Sequence, residues 1–61
     1  MNTREGTLIS RASRLGLVLK ISTQDNIHCA ILQHLHWSVE LTALHRHELL
    51  DKIEEKLRSL Q

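Results

Sequence analysis

Five histidines and a single cysteine are the side chains in this 61-residue chain whose types most readily suggest chemistry. His28, His34, His36, His45 and His47 raise the possibility of a bound metal. Ligands on one helix meet only at i, i+3 or i, i+4 spacing. His34 and His36 are two apart, as are His45 and His47, so on a helix each pair diverges. His36 with Glu40, His47 with Asp51, and His45 with Glu48 do have helical spacing, but each supplies two donors where zinc requires three or four. They read as surface helix pairs, and no metal site is expected. Cys29 next to His28 is no nucleophile and base on a helix, because adjacent residues point apart; a lone Cys behaves as a small, largely buried hydrophobe. No serine–histidine–carboxylate set and no cofactor motif can be assembled. The expectation is a protein that is not an enzyme and carries no cofactor.

The elements that would position these residues read as helices. No Gly or Pro follows Gly16, and the segment Glu48 to Arg58 is rich in helix formers. Placed at 100° per residue, one apolar stripe holds Leu32, Leu35, Val39, Thr42, Ala43, Leu49, Leu50, Ile53, Leu57 and Leu60. A second, nearly opposite, holds Ala30, Trp37, Leu41 and Leu44. This predicts a long helix over residues 27–60, with a break near 37–38 as the competing layout. Upstream, residues 1–6 read as a flexible arm. Thr7 can cap a helix over residues 7–20, with Leu8, Ala12, Leu15 and Leu19 on one face and Gly16 as a weak point. Leu15, Leu17, Leu19 and Ile21 also alternate, which suits a short strand. Residues 21–26 read as turn and cap, with Ser22 or Thr23 as the N-cap and Asp25 in the first helical turn. The expected fold is a single all-α domain: an N-terminal helix folded back on a long C-terminal helix as a helical hairpin, and dimeric. The alternatives are a three-helix bundle, or a short strand followed by two helices.

A helix apolar on two sides must be covered on two sides, and a chain of this size is too short to do that alone. A homo-oligomer is therefore expected, with another protein as a further partner. The expected function is that of a small adaptor, chaperone-like or regulatory subunit acting through apolar helix faces. Its contact residues would be Leu32, Leu35, Trp37, Val39, Leu41, Leu44, Leu50, Ile53 and Leu57, with Arg46 as a polar residue setting register within the seam.

Charge supplies the alternative. The net charge is +1, but residues 1–22 carry Arg4, Arg11, Arg14 and Lys20 against Glu5 alone, while the remainder is acidic. A basic segment beside an acidic helix signals either phosphate contact or self-docking. The second reading is thus a small dimeric nucleic-acid-binding transcriptional regulator using Arg4, Arg11, Arg14 and Lys20. No apolar run is long enough to span a membrane, and one free Cys suits a reducing cytoplasm.

Overall fold

The structure, a computed structural model, describes residues 3–60. Met1, Asn2 and Gln61 lie outside the described residues, so the expected N-terminal arm is described only from Thr3. The element order is α1 (Thr3–Arg14), β1 (Val18–Gln24), β2 (Ile27–Gln33), β3 (Ser38–Ala43) and α2 (Arg46–Ser59). The three strands form one antiparallel sheet in the order β1-β2-β3. The expected all-α helical hairpin is therefore overturned, and neither the three-helix bundle nor a strand followed by two helices describes the chain. Only the C-terminal part of the expected 27–60 helix is helical; residues 27–43 supply two strands instead.

The strands follow from alternation. In Ser38-Val39-Glu40-Leu41-Thr42-Ala43, every second residue is apolar, the pattern of a strand with one wet face. Its inner residues Val39, Leu41 and Ala43 are buried or half-buried, while Ser38, Glu40 and Thr42 are exposed. On β2, Ala30 and Leu32 are buried, and on β1 Leu19 is buried and Ile21 half-buried. The register places Leu19, Leu32 and Val39 in one inward row and Ile21, Ala30 and Leu41 in the next. Both helices cover this face. α1 packs on β1, α2 packs on β2 and β3, and the helices pack on each other. Leu8 and Ala12 of α1 and Leu49, Leu50, Ile53 and Leu57 of α2 complete the core.

Two backbone devices turn the chain. Gly16, with φ of 79°, ends α1. The Gly16 N–H bonds the Ser13 carbonyl at 3.0 Å and the Leu17 N–H bonds the Ala12 carbonyl at 2.9 Å, the paired bonds of a Schellman cap. Buried Leu17 packs in the same core as Ala12, the apolar contact that accompanies this cap. The residue expected to weaken a helix thus terminates one, and Leu17 to Ile21 lie beyond it. The Asp25-Asn26 pair, expected at the start of a helix, forms the two-residue loop between β1 and β2. Both residues have positive φ, 52° and 64°, as the primed hairpin turn requires. Ser22 and Thr23, expected as N-caps, lie within β1.

A Cβ at Gly16 would meet nothing within 4 Å, so Gly16→Ala should cost only the left-handed backbone penalty, about 1–2 kcal/mol. D-alanine there, in a synthetic chain, should be neutral or stabilising, and urea melts of the two forms check this. Ile53 is fully buried, so Ile53→Ala should cost about 2–5 kcal/mol. A domain of this size has about 3–9 kcal/mol in total, so much of the variant should be unfolded at room temperature by circular dichroism. Leu35→Ala, at a 90% exposed position, should change stability by less than about 0.5 kcal/mol.

Candidate interaction surface

With both helices on one side, the other side of the sheet is left bare. Its rows follow from the register: Val18, Gln33 and Ser38; then Lys20, Ile31 and Glu40; then Ser22, Cys29 and Thr42. Val18 is 53% exposed and Ile31 36% exposed, while Cys29 is half-buried between its neighbours. The central strand therefore carries apolar side chains outward, with mostly polar residues on the flanking strands. Lys20 and Glu40 lie on opposite sides of Ile31, and neither has an ion-pair partner among the described residues.

At one end of the sheet, β2 and β3 are joined by His34, Leu35, His36 and Trp37. The His34 N–H bonds the Trp37 carbonyl at 2.8 Å, and the two rings stack at 5.5 Å with an interplanar angle of 16°. His36 lies beside His34 at 6.2 Å between ring centroids. The His34 Nδ1 atom is buried without a hydrogen-bond partner. Leu35 projects from this tip into solvent. At the opposite end lie exposed Leu44, a stacked pair of His45 and His47 rings at 5.7 Å, and His28, whose Nδ1 is 3.1 Å from the Thr23 hydroxyl. The expected helical pairing of His36 with Glu40 is lost, because His36 lies in a loop and Glu40 in a strand. No group of three or more His, Cys, Asp or Glu side chains able to hold a metal occurs among the described residues.

The expected contact residues divide by layer. Leu32, Leu50, Ile53 and Leu57 are buried in the chain's own core, and Val39 and Leu41 face the same side of the sheet. Their assignment to a partner-binding helix face is corrected: Leu32, Val39 and Leu41 lie on the sheet face that the helices cover, and Leu50, Ile53 and Leu57 on the helix face that the sheet covers. Leu35, Trp37 and Leu44 remain exposed. Val18, Cys29 and Ile31 were not singled out by helical spacing, and Glu40 only as a partner of His36, although a period of two places all four on one face.

Arg46 does not sit in an apolar seam. It is the first residue of α2, where its Nη1 donates to Glu5 of α1 at 2.9 Å and its Nη2 to the Thr23 hydroxyl of β1 at 3.3 Å. Two of the four cations of the basic segment, Arg4 and Arg11, are likewise engaged within the molecule. Arg4 pairs with Asp51 and, at 3.1 Å, with Glu54; Arg11 reaches Glu54 at 3.7 Å. The hydrogen bond to Asp51 raises the Arg4 pKa, against a smaller opposing effect of desolvation. Arg14 is exposed on α1, beside a shallow groove shared with Gly6, Thr7, Ser10 and Arg11, whereas Lys20 lies on the bare face of the sheet. The four cations do not form one patch.

No helix among the described residues is long and apolar enough to cross a membrane. No family model, curated protein or solved structure matches the chain, and its class is that of a two-layer α+β domain defined by its own geometry.

The Arg46–Glu5 pair is partly exposed, so a double-mutant cycle with Arg46→Gln and Glu5→Gln should give a coupling of about 0.2–1 kcal/mol. The coupling should shrink in about 1 M salt, where the screening length is about 3 Å. Arg46→Leu should not raise the melting temperature, as it would if Arg46 interrupted an apolar seam.

Proposed function

We propose that this chain is a small, non-enzymatic protein–protein interaction module, an adaptor or regulatory subunit, whose contact surface is the bare face of the sheet with the Leu35–Trp37 tip at its end. The observation that carries the reading is the placement of both helices on one side, which leaves outward Val18 and Ile31 uncovered among the described residues. An apolar centre ringed by polar residues is the anatomy of a protein interface. The distribution of charge supports the same reading, because Arg4, Arg11 and Arg46 already face carboxylates of their own chain. The free Cys29 suits a reducing cytoplasm.

The nucleic-acid reading rests on Arg11 and Arg14 beside the α1 groove. Two neighbouring cations release few counterions, so such binding would be weak and strongly salt-dependent.

The test is affinity capture with the tagged chain, run on wild type, Ile31→Lys and Arg14→Glu after circular dichroism has shown each to be folded. The expected result is a discrete polypeptide retained in about 1 M salt, lost with Ile31→Lys and kept with Arg14→Glu. Retention of nucleic acid that is released by salt and by Arg14→Glu would overturn the reading.

A further inference from the structure

We propose that the bare sheet face pairs with itself: two copies of the chain meet outer face to outer face about a twofold axis running along β2. This rests on the reading of that face as a contact surface and specifies an occupant and an orientation.

Charge selects the orientation. The central outward row runs Lys20, Ile31, Glu40 across the three strands. A twofold axis along β2 lays β1 of one copy over β3 of the other. Lys20 then faces Glu40 of the second copy, and by symmetry the same pair forms twice. Ile31 meets its own counterpart at the centre. An axis across the strands through this row would instead set Lys20 on Lys20 and Glu40 on Glu40, like charges facing each other. Aligned sheets pack about 10 Å apart at about −30°, an offset that the long Lys20 and Glu40 side chains can span.

The neighbouring row fits the same arrangement. It holds Ser22, Cys29 and Thr42, small side chains that permit close approach. The selected axis places Cys29 opposite Cys29, whereas the alternative axis places it opposite Gln33. Pairing through the edge of β3 is hindered, because the Lys52 ammonium donates to the Thr42 carbonyl at 2.6 Å and occupies that edge.

The footprint sets the strength. Three strands of about six residues cover about 14 by 20 Å, well below the roughly 800 Å² per partner of a stable complex. The dimer should therefore be weak and exchange readily with other partners of this face.

Sedimentation equilibrium on the full chain, up to roughly 1 mM as a small, weak interface requires, should show a reversible monomer–dimer equilibrium. Lys20→Glu alone and Glu40→Lys alone should each weaken it by tenfold or more. An equimolar mixture of these two variants should restore dimer, because each then meets its opposite charge at both contacts. A short bis-maleimide should link wild-type chains through Cys29, and Cys29→Ser should abolish the link. Circular dichroism confirms that every variant is folded. A monomer at all concentrations, a dimer indifferent to the charge reversals, or no restoration on mixing would overturn self-pairing. If self-pairing fails while Ile31→Lys still abolishes capture of another protein, the face remains a contact surface with a different occupant. If Ile31→Lys leaves that capture intact, the reading of the face itself fails.

Discussion

A single apolar layer, held between one face of the sheet and two helices, is the constraint on which the rest of this molecule depends. Its large members are Leu8, Leu32, Leu49, Ile53 and Leu57, all fully or almost fully buried. Ala30 and Ala43 stand on the strands that α2 covers, and their small side chains let the helix approach the sheet closely. The described residues form two layers, one of sheet and one of helices. Both helices are needed to close this one layer, so neither is left to cover the opposite face. That face is bare among the described residues.

Charge then orients what apolar burial holds together. The helices lie side by side: Glu5 near the start of α1 meets Arg46 at the start of α2, and Arg11 further along meets Glu54. Each pair is near the surface and contributes about 0–1 kcal/mol. Their value lies in alignment, since a shift of either helix by one turn would separate several of them at once. The same pairs explain why a basic N-terminal segment does not amount to a basic surface. Its acidic counterpart was present in the sequence all along, at Asp51 and Glu54, and self-docking was one of the two outcomes that the charge asymmetry allowed.

The C-terminal helix was legible, because Leu49, Leu50, Ile53 and Leu57 recur at true helical spacing over a segment of strong helix formers. The strands were not, and the reason is arithmetic. At 100° per residue, side chains two apart fall 200° apart, so the alternating residues of a strand land on opposite sides of a helical wheel. Val39 and Ala43 then join one stripe and Leu41 the other, though all three share one face of β3. The two-sided apolar helix was the image of two strands drawn with the wrong period. The oligomer argued from it loses that warrant, since Leu32, Val39 and Leu41 are accounted for within the fold. The alternation from Leu15 to Ile21 was visible, but the segment was assigned to a helix over residues 7–20; α1 ends at Arg14 and β1 begins at Val18. Residues 21–26 were read as turn and cap, but with Ser22 or Thr23 capping a helix and Asp25 in its first turn, because the same side chains serve turns and helix starts alike.

The central strand carries more apolar surface than its own core requires. β3 follows the pattern of a strand with one wet face, with Ser38, Glu40 and Thr42 all turned outward. β2 does not: Ala30 and Leu32 point inward, while Ile27, Cys29 and Ile31 point outward. Strands apolar on both faces are typical of sheets covered on both faces. This has a cost in specificity, because a strand apolar on both sides fixes its own register poorly. Here the register is set by its neighbours, through the two-residue Asp25-Asn26 loop on one side and the strict alternation of β3 on the other. Nothing in the folding of the isolated chain calls for Ile31 and Cys29 at those positions, where Thr or Ser would satisfy a solvated face. Ile31 and Cys29, with outward Val18 beside them on β1, are the feature on which the proposed contact surface rests.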